Sequence, residues 1–271
     1  MLGKLLKHEF NATGRLFLPV FALLIILTPL LGSLISIVGL DNNSSLGIIM
    51  GLSMFGYIIL LLGVFVACFV FIVMRFYKSM TTDEAYLTFT LPAKTSSLIL
   101  SRLIPAFVWN LVTMILVLFS IAGFTLIIGV WELSDIGRLW DFILQFIPSL
   151  ASEQNSVITM LVLLAGTLFF SSIAGTLQIY ASIALGQTMR THRLLFSFVY
   201  YIVLYVIMQI ISTICVLPLM SKGMNPVFNS PAEILDFYNL TFTLSIGASM
   251  LFGIGCYILT VIFFKKKLNL E

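Results

Sequence analysis

Along this chain apolar positions do not alternate with polar ones at a helical or strand period. They run on unbroken instead, six times, each time for at least the roughly 20 residues that an α-helix needs to cross a bilayer. The runs extend from about Leu16 to Leu40, Leu46 to Met74, Leu103 to Val130, Val157 to Leu185, Phe196 to Pro218 and Leu240 to Phe264. Segments of this length have to satisfy their own backbone in lipid, so each is predicted to be a helix. The first is too long for the core of a signal peptide and has no small-residue cleavage site behind it, which predicts a retained span. The fold class expected is an all-α integral membrane protein built as one transmembrane domain over residues 1–271.

The segments between the runs carry patterns of their own. In "MLGKLLKHEFNATGR", Leu2, Leu5, Leu6 and Phe10 share one helical face, with Lys4, Lys7, His8 and Asn11 on the other. Residues 1–15 are therefore expected to form an amphipathic helix lying in the membrane interface and bending at an elbow into the first span. "SDIGRLWDFILQFIP" repeats the pattern with Ile136, Leu139, Trp140, Ile143, Leu144 and Ile147 against Asp135, Arg138, Asp141 and Gln145, ended by Pro148. "SPAE" at 230–233 joins a Ser N-cap, Pro at the first helical position and Glu at the third, so a short helix is expected to start there and run to about Tyr238.

Composition supports this class. Of 271 residues 60% are hydrophobic and only 9% charged, against about a quarter charged in soluble domains. The net charge of +3 matters less than where the cations lie. Lys4, Lys7 and Arg15 precede span one; Arg75, Lys78, Lys94 and Arg102 separate spans two and three; Arg190 and Arg193 separate four and five; Lys265, Lys266 and Lys267 follow six. That makes twelve on one side, with Arg138 and Lys222 alone on the other among the 14 Lys and Arg. The positive-inside rule then predicts both termini in the cytoplasm. Asp41, Glu132, Asp135, Asp141, Glu153, Glu233 and Asp236 fall outside.

No span carries an ionisable residue in its middle, which argues against a proton relay or an ion-coupled carrier. The polar residues left there are neutral. Asn110, Gln178 and Gln209 are candidate interior polar contacts, although interhelical hydrogen bonding is their ordinary use. Small residues spaced by four, Gly47 with Gly51, Ser171 with Gly175 and Ser249 with Gly253, would let helices approach closely within one chain or between two. Cys68, Cys215 and Cys256 lie apart in apolar runs and suggest neither a disulfide framework nor a metal site. Phosphate-binding loops, metal-spaced histidines and Gly-flanked nucleophilic serines are not found, so no catalytic residue, cofactor or metal is assigned to the chain.

One polar stretch interrupts the pattern on the basic side, "TTDEAYLTFTLPAKTSS" at residues 81–97. With Thr81 as N-cap, Glu84 completes a capping box and Asp83 complements the helix dipole, while Pro92 stops the helix. The helix is too short to span anything, yet it carries Ala85, Tyr86, Leu87, Phe89 and Leu91. Such a surface needs a partner: headgroups, the chain's own spans or another protein. A second helix should start near Thr95 to Ser97, carry Arg102 and continue into span three.

Taken together, the "LLKHEF" start, the six spans with both ends inside and the loop "RFYKSMTTDEAYLTFTLPAKTSSLILSRL" resemble the permease subunits of bacterial ATP-binding-cassette exporters of the type-2 exporter family, over essentially the whole chain. The resemblance implies that the 75–102 loop holds a coupling helix that seats in a groove of a separate ATPase subunit. It assigns that docking to Thr82, Asp83, Glu84, Tyr86, Leu87, Phe89 and Leu91, with Asp83 and Glu84 as polar contacts. It further implies ATP and Mg in the partner, a second permease copy, identical or not, location in the bacterial cytoplasmic membrane, and export. The 103–264 region would hold spans three to six and 265–271 a basic cytoplasmic tail. An interior without fixed charge points to a hydrophobic or amphipathic cargo such as a peptide, a drug or a lipid-like molecule. A membrane immunity or sensor protein without transport would use the same spans, as would a passive channel or, for lack of a catalytic set the weakest alternative, a membrane enzyme.

Overall fold

The computed structural model describes residues 2–38, 44–81, 85, 95–129, 154–189, 192–223 and 231–266. These form six helices: α1 (Leu2–Val38), α2 (Ser44–Thr81), α3 (Thr95–Ile127), α4 (Gln154–Gly186), α5 (Arg193–Gly223) and α6 (Pro231–Lys266). All six are long and apolar enough to cross a membrane, and no strand occurs among the described residues, so the architecture is that of an all-helical multi-pass membrane protein. Even α5, 31 residues long, measures roughly 46 Å at 1.5 Å per residue. Every helix is therefore longer than a hydrocarbon layer of about 30 Å.

Two expectations change. Residues 2–15 are not a separate element, because α1 continues from Leu2 through Pro19 and Pro29 to Val38. Its two-faced start is retained, with Lys4, Lys7, His8 and Asn11 exposed and Leu5, Leu6 and Phe10 partly buried. Nothing between 10 and 20 forces a break, since a Pro inside a membrane helix is tolerated where neighbours compensate for the lost hydrogen bond. The helix starting at Pro231 likewise does not end near Tyr238; it is the first part of α6, which continues to Lys266. "LDFYNLTFTL" holds no Gly or Pro to stop it. The helix expected around 136–147 lies outside the described residues.

The chain divides into two packing units. The first contains α1, α2 up to Arg75 and α3 from Ile104 onward. At the Leu2 end of α1, Trp109 of α3 stacks on Phe17 with ring centroids 5.1 Å apart and planes at 10°, while Phe71 of α2 meets Phe17 edge-on at 5.7 Å. Further along, Tyr57 of α2 stacks on Phe124 of α3 at 3.6 Å beside Ile35 of α1.

Between these two aromatic layers a hydroxyl chain joins the three helices. Thr28 donates to the Leu24 carbonyl at 2.7 Å, its oxygen lies 2.7 Å from Ser120 Oγ, and Ser120 lies 2.9 Å from the Tyr57 hydroxyl. Donation from Tyr57 to Ser120 to Thr28 satisfies every proton. We expect Ser120→Ala to break both links and lower stability by about 1 kcal/mol, the usual size of such membrane contacts. Reversible unfolding in mixed micelles measures it, and Tyr57→Phe combined with Ser120→Ala should cost less than the sum of the two single changes.

The second unit contains Phe76–Thr81 of α2, Thr95–Leu103 of α3, and α4, α5 and α6. At its centre is α4, in which every residue from Thr176 to Ala184 is buried. Nine successive buried positions exceed two helical turns, so this stretch is covered on all sides. Small side chains make the enclosure feasible: Ala174 lies 3.6 Å from the position a Cβ would take on Gly253 of α6. Of the three small-residue pairs, Ser249 and Gly253 pack here, whereas Gly47, Gly51, Ser171 and Gly175 are exposed.

The turn from α4 into α5 is tighter still. A Cβ on Gly186 would stand 1.9 Å from Ser197 Oγ and 2.8 Å from both Ser197 Cα and N. The side-chain clash can be relieved by rotation, but the backbone clash cannot, so α5 would have to move. Gly186→Ala is expected to cost about 2 kcal/mol, as overpacking does, with a matching fall in the melting temperature of the purified protein. Adding Ser197→Gly should recover only part of the loss.

Candidate functional site

The residues assigned to ATPase docking, Thr82, Asp83, Glu84, Tyr86, Leu87, Phe89 and Leu91, lie outside the described residues; Ala85 between them is helical and fully buried. What the structure does describe is how the helices on either side of that segment are held. Thr81, expected from the sequence as the cap of the next helix, is the last residue of α2, and its hydroxyl donates to the Tyr77 carbonyl.

Both flanking ends are built into the second unit. On the α2 side Phe76 stacks on Tyr180 of α4 with centroids 3.6 Å apart and planes at 7°, and its edge faces Phe264 of α6 at 5.9 Å. Met80 is fully buried and Ser79 nearly so. On the α3 side Leu98, Ile99 and Ser101 are buried, and the Tyr180 hydroxyl donates to the Arg102 carbonyl at 3.2 Å. Tyr180 thus touches both helix ends, one through its ring and the other through its oxygen. Ser79 and Ser101 spend their hydroxyls on carbonyls three residues back, Phe76 and Leu98, so they add small volume without leaving buried donors unpaired.

In the first unit, a neighbouring polar contact was missed by sequence reasoning. Arg75, the residue before Phe76, grips Glu9 of α1 with two bonds, Nη2 to Oε1 at 2.7 Å and Nε to Oε2 at 3.0 Å. The Glu9 side chain is 3% exposed and that of Arg75 20%. Thr13, one turn further, donates to the Glu9 carbonyl at 2.7 Å and accepts from Trp109 Nε1 at 2.8 Å. The available signal was that Glu9 projects from α1 on the side away from Lys4, Lys7 and Asn11, where a carboxylate needs a partner.

Of the three candidate interior amides, Asn110 belongs to the first unit and Gln178 and Gln209 to the second. Gln178 is buried in α4 and donates to the Tyr201 carbonyl of α5 at 3.4 Å. Gln209, two turns further along α5, is exposed. Asn110 is partly buried in the first unit. Each of the three sits in a different environment within its own unit.

The second unit also holds an apolar cleft of about 440 Å³, lined among others by Leu100, Leu103, Phe170, Leu177, Met250 and Tyr257. The Ser249 hydroxyl on its wall is turned to the Ile246 carbonyl of its own helix. The cleft offers hydrocarbon contact to a guest and little polar recognition.

Cys68, Cys215 and Cys256 are free thiols, and Cys68 accepts a bond from Thr113 at 3.4 Å. Among the described residues, His, Cys, Asp and Glu do not gather into a group of three that could hold a metal. Comparisons with models of known protein families, with curated proteins and with solved structures find no match.

Proposed function

We propose that this chain is the membrane-spanning permease subunit of an ATP-binding-cassette exporter of the bacterial cytoplasmic membrane, with both termini in the cytoplasm. ATP is bound with Mg and hydrolysed by a separate ATPase subunit, and the permease works as a pair of copies. The observation that carries the reading is the clamp on both sides of the 82–94 segment. Phe76 and Arg102 are held to one residue, Tyr180, in the enclosed part of α4.

A segment anchored in this way cannot shift at one end alone. A push on it from a cytoplasmic partner is delivered to α4 through a stacked ring on one side and a hydrogen bond on the other. The same helices then continue from the clamp along their full length, so displacement of the loop becomes displacement of spans. Thr82, Asp83 and Glu84 supply the polar contacts to the ATPase, and Tyr86, Leu87, Phe89 and Leu91 the apolar ones. Spans with no ionisable residue in their middle and the apolar cleft support a hydrophobic or amphipathic cargo.

Photo-cross-linking tests the docking. A benzophenone amino acid placed at Leu87 in the full chain, expressed in its own host, is expected to capture a P-loop ATPase, while the same group at Ile207 on α5 is not. Capture of lipid alone from Leu87 would mean that the segment lies against the membrane and that no motor binds it.

A further inference from the structure

We infer that the apolar cleft of the second unit holds one acyl chain of an acidic phospholipid, drawn from the membrane leaflet on the side that carries Lys265. The walls of the cleft come from α3, α4 and α6 within that unit alone. Its lining is almost entirely hydrocarbon, and Ser249 spends its hydroxyl on the Ile246 carbonyl. Water finds no partners in such a space, since a bound water needs about two to four polar groups. A volume of about 440 Å³ is that of a ligand site and far exceeds the small voids of a packed interior.

Length and charge select the guest. Met250 and Ile254 of α6 line the cleft, and the same helical face continues through Ile258 and Val261 to Lys265, at spacings of four, four, three and four. Fifteen residues separate Met250 from Lys265, about 22 Å of helix. Half a bilayer with its headgroups measures about 20–22 Å. The face therefore offers hydrocarbon through the depth of one leaflet and ends in a cation, with Lys266 and Lys267 next in sequence. An acidic phospholipid presents its groups in that order, a long tail and then a negative headgroup that lysines attract. The opposite wall agrees in depth: Leu177 lies nine residues, about 14 Å, before the end of α4 at Gly186, and Tyr257 eight residues, about 12 Å, before Lys265.

The lipid site is formed within one unit and needs neither an ATPase nor a cargo, so it stands or falls apart from the transport reading. The test uses the purified full chain in nanodiscs of phosphatidylcholine with a trace of phosphatidylglycerol that carries a diazirine near the end of one acyl chain. Light converts the diazirine to a carbene that inserts into neighbouring C–H bonds, and digestion with mass spectrometry locates the adducts. An adduct is expected on Leu177, a buried residue of the cleft wall. Phosphatidylcholine with the same diazirine tail should label Leu177 about fivefold less, the effect of one lysine at an acidic headgroup. Lys265→Gln should lower labelling by phosphatidylglycerol by about the same factor. Met250→Trp, which narrows the cleft, should remove the Leu177 adduct and leave those elsewhere on the chain.

Adducts that spare Leu177 in the native chain would overturn the inference, because the cleft would then be closed by protein. Equal labelling of Leu177 by the two lipids would overturn it as well, leaving hydrocarbon contact without choice of headgroup. Should Met250→Trp fail to fold, the two lipids compared on the native chain and on Lys265→Gln still decide.

Discussion

Glu9→Ala is expected to destabilise the protein by about 3 kcal/mol, because it leaves the Arg75 guanidinium beside a cavity where a carboxylate had met it with two bonds. The value falls at the low end for a broken buried pair, since the Arg75 side chain keeps 20% of its surface exposed and can reach water or a headgroup. The double change Glu9→Leu with Arg75→Met should cost much less than Glu9→Ala alone, as replacing a buried pair by apolar volume usually does. Unfolding in mixed micelles, measured for both, separates the two cases. If the double variant were as unstable as Glu9→Ala, the contribution would lie in packing around Thr13 and Trp109 and not in the charge pair.

Tyr180→Ala is expected to cost a similar amount, about 3 kcal/mol, through the cavity left at the centre of the second unit and the loss of both links to the helix ends. Tyr180→Phe keeps the ring against Phe76 and removes only the bond to the Arg102 carbonyl, so about 1 kcal/mol is expected. The functional consequence should run the other way from simple instability. In a purified complex Tyr180→Phe should bind the ATPase normally but couple its hydrolysis to transport less well. The α3 side of the clamp has been loosened, while the residues proposed for docking are unchanged. Equal loss of binding and of coupling would mean that Tyr180 is purely structural.

Hydropathy alone was enough to find the six spans, because lipid demands length and apolarity and little else. The same demand hid which side of each helix faces inward. Lipid tails are as apolar as a protein core, so the 3.6-residue alternation that marks a soluble helix has no reason to appear. Gln178 and Gln209 look alike in the sequence, yet one is buried against α5 and the other faces outward.

Residue size was the better guide. Ala174, Ala181, Ser182, Ala184 and Gly186 crowd the enclosed part of α4, while α5 presents Leu194, Leu195, Phe198 and Ile202 outward. Contacts made by residues far apart in sequence, such as Glu9 with Arg75 and Phe76 with Tyr180, had no local signature. The break expected after residue 15 rested on amphipathicity alone. A polar residue such as Glu9 with an internal partner leaves a helix free to continue, and α1 does.

The central claim is that a motor in trans drives this chain through the segment clamped by Tyr180. Isolating the tagged full chain from its own host in mild detergent and identifying what comes with it tests this most directly, with Tyr86, Leu87 and Phe89 changed to Ser in a parallel preparation. A P-loop ATPase recovered with the native chain and lost from the triple variant, while the spans still assemble, is the predicted result. Absence of any ATPase from the native chain, under conditions that keep other membrane complexes intact, would contradict it and leave a membrane protein that works without a motor.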